Sequence, residues 1–192
     1  MTDYFVVQHT EDRRAWRIDG TNPAIPDDFR LQEAVRLKPR YPSRVVLDIT
    51  PSGGNMRVDF IRNLDRIILA SKRARDLLAS EGIEEKDVEL LPAFLRDKKG
   101  RVLDEPYTIV NPVVAVACMD RQKSVYSVFS KSDEVMDVRR LSVKLDRIPK
   151  HLVLFRLAED KKLIVIRDDL VKAIDRAGLT GFRAVPLGDE IL

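Results

Sequence analysis

The side chains that could do chemistry in this 192-residue chain are few, and their spacing does not combine them. His9 and His151 are its two histidines. Neither lies in a His-Glu-x-x-His pattern, and a chain with one cysteine has no Cys-x-x-Cys, so zinc sites of ordinary spacing are excluded. Cys118 closes the apolar run 113–118. A thiol in such a run reads as a small buried hydrophobe, because a reactive one needs an electropositive, partly exposed setting. No Gly-x-x-x-x-Gly-Lys-Ser/Thr or Gly-x-Gly-x-x-Gly run exists for phosphates or dinucleotides. Ser52-Gly53-Gly54-Asn55 could cradle an anion with backbone N–H groups, but reads first as a turn. Carboxylate pairs occur at Asp27-Asp28, Glu84-Glu85, Asp133-Glu134 and Asp168-Asp169. Acid–base catalysis needs one carboxyl of a pair in an apolar pocket, which adjacent acids in polar turns rarely provide. The expectation is a protein without catalytic residues, metal or cofactor.

Charge points the same way. There are 34 basic and 31 acidic residues, a net of +3. The signs are interleaved, whereas a nucleic-acid reader concentrates its basic residues on one face. Trp16 lies among Arg13, Arg14 and Arg17, and Tyr41 between Arg40 and Arg44; such interleaving can stack bases and neutralise phosphates, or the aromatics can anchor an irregular segment to the core. At 44% hydrophobic and 34% charged the chain is not of disordered composition. The N-terminus lacks the basic region and apolar stretch of a signal peptide, and no apolar run approaches the roughly 20 residues of a membrane span. These features imply a cytoplasmic protein with no membrane partner.

The positioning elements are legible in part. Residues 4–7 and 44–49 read as strands, separated by prolines at 23, 26, 39 and 42 that exclude long helices. Residues 66–70 form an apolar run before Ser71, whose hydroxyl suits a helix N-cap; Ala74, Leu77 and Leu78 then fall on one helical face, and Gly82 ends the helix. Residues 87–95 and 101–110 read as a hairpin about a turn at 97–100, with Pro92 confining part of it to an edge or bulge. Residues 113–118 read as a buried strand, and 141–145 and 152–155 as further strands. Residues 163–166 lead to Asp168 as an N-cap, a second helix bearing Leu170, Val171, Ala173, Ile174 and Ala177, a stop at Gly178, and a last strand at 182–187. Residues 67–83 align with 163–179 without a gap, at an offset of 96. Either two equivalent units or a coincidence of common punctuation would produce that likeness. The predicted fold is α+β: a mostly antiparallel sheet with two short amphipathic helices packed against it.

A longer pattern runs from Asp59 onward: Asn63 and Ser71 before the Leu77-Leu78 helix, Glu89-Leu90-Leu91-Pro92, Tyr107, Asn111-Pro112, Cys118-Met119-Asp120, Ser124, Phe155-Arg156, Gly181-Phe182 and Pro186-Leu187. In order and spacing it resembles the immunity protein 11 family of bacterial polymorphic toxin systems, once known only as a domain of unknown function. The resemblance divides the chain into an irregular region, 1–58, and an immunity-like domain, 59–192. It implies a cognate protein toxin as partner, neutralised in a stoichiometric complex. The alternative is an accessory protein that binds nucleic acid or anions through the basic N-terminal segments. If the toxin is a nuclease, a chain at +3 must meet its basic surface with a local acidic patch. The candidates are Glu81, Glu84, Glu85, Asp87 and Glu89 after the first helix, and Asp133, Glu134 and Asp137 in the polar stretch after Ser130.

Overall fold

The structure is a computed structural model that describes residues 3–21, 24–25 and 27–191. The turn expected at Asn22-Pro23, and Pro26, lie outside the described residues. In chain order the elements are β1 (Tyr4–His9), β2 (Val46–Asp48), β3 (Ile68–Ala70), α1 (Lys72–Ser80), β4 (Val88–Arg96), β5 (Tyr107–Pro112), β6 (Ala115–Val116), β7 (Val125–Val128), β8 (Val135–Arg140), β9 (Leu154–Leu157), β10 (Ile164–Arg167), α2 (Asp168–Arg176) and β11 (Phe182–Pro186). They form a five-stranded sheet in the order β11-β1-β10-β9-β6, a four-stranded sheet in the order β2-β4-β5-β3, and a ribbon, β7-β8. Pairing is antiparallel except for β2 with β4 and β6 with β9. This is the α+β, sheet-dominated fold expected from the sequence.

Alternation along the strands builds three cores, because successive side chains point to opposite faces. Leu91, Ala93 and Leu95 of β4, with Tyr107 and Ile109 of β5, face the irregular segment carrying Ile18, Leu31, Val45 and Ile61. Trp16 and Tyr41 pack against that core and anchor the segment. On the other face, Ile68 and Val110 join Ala74 and Leu78 of α1, Leu170 and Ile174 of α2, and Ile164 and Ile166 of β10 in one cluster, so the helices share a layer with both sheets. Tyr4, Val6, Phe155 and Val165 face outward from the five-stranded sheet, where Met119, Val138 and Leu141 cover them. Each fully buried aliphatic side chain contributes about 1.5–3 kcal/mol.

The likeness at offset 96 is a likeness of topology. β3 and β4 are both antiparallel to the intervening β5, so β3-α1-β4 is a split parallel crossover. β10-α2-β11 is the same unit, with β1 as the intervening strand. The helices match residue for residue, and each is followed by a glycine of positive φ, Gly82 at 84° and Gly178 at 61°. The middle strand of the first unit follows it in sequence, whereas that of the second comes from the chain's start.

Several local expectations hold and others shift. Ser71 caps α1, accepting a hydrogen bond from Ala74 N at 3.2 Å. Asp168 is not the cap of α2: Arg167 holds that position and Asp168 opens the helix. Its N–H is already given to Asp3 O, and its carboxylate pairs with Lys172 Nζ at 2.6 Å, a first-turn acid favoured by the helix dipole. Pro92 lies beyond the stretch where β2 covers β4, so its missing N–H leaves no gap in the ladder. The hairpin turn at 97–100 holds, closed by Asp97 N to Arg101 O and the Arg96–Val102 bridge; the second arm is interrupted after Leu103 and resumes as β5 at Tyr107. Residues 113–118 do not form one strand: the chain leaves the four-stranded sheet at Pro112 and joins the edge of the other for two residues only. Residues 141–145 make only a bridge, Val143 with Met119, before a 3-10 turn at Leu145–Arg147.

Candidate functional site

The structure separates the nominated acids by role. Glu81, Glu84 and Glu85 are exposed in the connection from α1 to β4, where Lys86 pairs with Glu84 at 2.7 Å and holds its carboxyl below the usual range. Asp87 is buried, 4.0 Å from His151 Nε2. Glu89 is 1% exposed. Its carboxylate accepts hydrogen bonds from Leu37 N at 2.8 Å, Lys38 N at 2.9 Å and Asn111 Nδ2 at 3.3 Å, tying the irregular segment to β4 and β5. Both oxygens of this carboxylate already take donors from the protein's own chain, so it has no acceptor left to offer a partner. Glu89→Gln should lower stability by about 2–4 kcal/mol, since an amide turns donors toward donors in a buried site. Glu84→Gln should leave the urea midpoint where it was; equal effects of the two would contradict this division of roles.

The second set of acids lies at a groove. Asp133 and Glu134 are exposed at the turn of the β7-β8 ribbon, beside an open depression of about 720 Å³. Its other walls are Phe29 and Glu33 from the irregular segment and residues 158–162, the turn between β9 and β10. Phe29 is 60% exposed. Asp160 is 5% exposed; Oδ1 accepts from Lys162 N, but Oδ2 is buried without a donor among the described residues. Glu159 is similar: Oε1 accepts from Met119 N, and buried Oε2 has no donor among the described residues. Burial pushes the Asp160 carboxyl up; Lys162 and Arg66 oppose that rise and Asp137 adds to it. The sequence did not single out Glu159 and Asp160, because Glu-Asp-Lys-Lys reads as a solvated turn. Only the fold places it over Met119 and beside the ribbon.

Arg156 braces the groove from beneath. It is fully buried, and its hydrogen-bond partners among the described residues are backbone carbonyls. Its guanidinium donates to Pro112 O at 3.2 Å, to Lys161 O at 2.7 Å and to Leu31 O, joining the end of β5, the β9-β10 turn and the segment that carries Phe29. Burial lowers its pKa to about 10, which leaves it charged at neutral pH.

A smaller cavity of about 320 Å³ has the opposite sign, with Arg62, Arg66, Lys162 and Arg183 around His9. His9 is held at about 4, by burial first and Arg62 second, against a hydrogen bond to the Ile67 backbone. With the folded pKa depressed, the unfolded chain takes up the proton first. The stability this supplies is whole above about pH 6.5 and is lost as pH falls toward about 4. At about 1.4 kcal/mol per pH unit, discounted because the ring is only partly buried, the loss is about 2 kcal/mol. His9→Gln should flatten the fall in urea midpoint over that range; an unchanged slope would show that His9 is not its source.

Cys118 and the two histidines stay apart in the fold. Burial pushes the Cys118 thiol up to about 12, and neither histidine is among the groups acting on it. Among the described residues no three His, Cys, Asp or Glu side chains are grouped to hold a metal ion. No helix among them is long and apolar enough to cross a membrane. The arginines near Trp16 and Tyr41 have separate local partners: Arg14 pairs with Asp12, Arg17 reaches Ser52, and Arg44 lies over the Phe94 ring.

The chain belongs to the immunity protein family Imm11, whose family model matches residues 3–189. The match takes in the irregular segment and β1, so the family pattern reaches well upstream of Asp59, where the resemblance in sequence began. No curated protein sequence matches the chain.

Proposed function

We propose that this protein is the cytoplasmic antidote to a protein toxin, which it binds one-to-one and holds inactive without turnover. The family match over residues 3–189 is the observation that carries this reading. The physical features agree with it: an inhibitor needs a rigid scaffold and a complementary surface, and tight complexes rest on a few buried anchors. Of the acids nominated in the sequence, Asp133, Glu134 and Asp137 are the better candidates for the binding surface, together with exposed Glu81, Glu84 and Glu85; Asp87 and Glu89 serve the interior. The test is affinity capture of the tagged protein from its native cells, with nuclease treatment and a salt wash, then native mass spectrometry. One protein partner held at equal stoichiometry is the expected result. Recovery of nucleic acid alone, lost with salt, would replace this reading with one of nucleic-acid binding.

A further inference from the structure

We propose that the groove between Phe29 and the β9-β10 turn is the docking site for the partner protein, and that it receives an arginine side chain of that partner against Glu159 and Asp160. This rests on the antidote reading and specifies its surface. Two buried carboxylate oxygens, Glu159 Oε2 and Asp160 Oδ2, lack any donor among the described residues. Burying a charged acceptor without a donor is unfavourable, and such groups are usually satisfied. A guanidinium fits: it is planar, always charged, and presents paired N–H donors suited to carboxylate oxygens. A metal ion is the poorer occupant, since among the described residues no group of three ligating side chains is assembled.

The surroundings favour a cation from a protein. Five carboxylates line the groove against three cations. Arg121 is tied into the ribbon side of the rim, donating to Asp133 O at 3.2 Å and lying 5.7 Å from the Tyr126 ring centroid. Asp133 and Glu134 stand exposed on the rim, where they can steer a basic surface inward. The exposed Phe29 ring offers the apolar contact that small cations do not need and protein interfaces use.

Two experiments test this. The first titrates the ¹⁵N-labelled protein with N-acetylarginine amide, using N-acetylglutamine amide as control. Amide shifts should centre on Phe29, Glu134, Glu159 and Asp160, and fall at least about threefold in Asp160→Asn. That variant should also melt a few degrees higher at pH 7, since it removes a buried charge from the free protein. The gain should vanish below the ordinary carboxylate range, where the acid is neutral in both states. Shifts spread evenly over surface acids, or unchanged in Asp160→Asn, would overturn the site. The second measures affinity for the captured toxin with Asp133→Lys and Glu134→Lys combined, exposed changes that should leave the melting temperature alone. A loss of about 100-fold is expected. Unchanged affinity would overturn the site while leaving the antidote reading intact. Arginine binding in the groove without any toxin complex would do the reverse.

Discussion

Replacing Arg156 with methionine should lower the stability of the protein by about 3–5 kcal/mol, measured by urea unfolding. The side chain is 0% exposed and bonds three backbone carbonyls, from β5, from the β9-β10 turn and from the segment at Leu31. Methionine can fill the space of the stem but leaves all three acceptors without their donor, and for the two buried ones, Pro112 O and Leu31 O, the cost is about 1–3 kcal/mol each before relaxation. Arg156→Lys should recover only part of the loss, because an ammonium on a flexible stem cannot reproduce the fork that reaches three separate segments. A loss under about 1 kcal/mol in the methionine variant would show that those carbonyls find other donors and that Arg156 does not join the two sheets.

Gly181→Ala should be among the most damaging changes of a single methyl group, at about 4 kcal/mol or more, and it should show as insoluble protein or a collapse in melting temperature. Gly181 has φ of +87°, and a Cβ there would lie 2.1 Å from Phe60 O. The glycine opens the turn into β11 where the second unit crosses the backbone leading to the first, with Phe60 N donating to Thr180 O at 2.9 Å and Thr10 N to Gly181 O at 3.2 Å. Neither backbone can withdraw without breaking these bonds. Gly188→Ala separates the two causes: φ is +93° but nothing lies within 4 Å of its Cβ, so it should lose only the conformational share, about 1 kcal/mol. Equal losses at the two positions would mean that steric contact with Phe60 is not what fixes Gly181.

What the sequence revealed and what it hid follow from the range of the forces involved. The helices were legible because their signals are local: Ser71 before an apolar stripe, and glycines at 82 and 178 that take positive φ. Even there the cap of α2 moved by one residue: Arg167 takes that position, and the Asp168 carboxylate pairs with Lys172 rather than with a first-turn N–H. The apolar run 113–118 misled because continuous burial does not require continuous pairing; the chain there passes between two sheets, and its side chains are covered from both. The insertion of β1 between β10 and β11 was invisible, as pairing over some 160 residues of sequence leaves no local trace. The same limit hid the groove. Asp133 and Glu134 could be nominated as part of an acidic stretch, but that they face Glu159, Asp160 and Phe29 depends on three distant segments meeting. Glu89 shows the converse: an acid in an acidic stretch whose role is set by backbone donors roughly 50 residues upstream.

The most direct test of the central proposal is a titration of the partner toxin's activity against increasing amounts of this protein, at concentrations well above their dissociation constant. Stoichiometric antidote action gives a linear fall that ends at one equivalent and does not change with incubation time. Inhibition by a small fraction of an equivalent, deepening with time, would contradict it and mark the protein as a catalyst acting on the toxin.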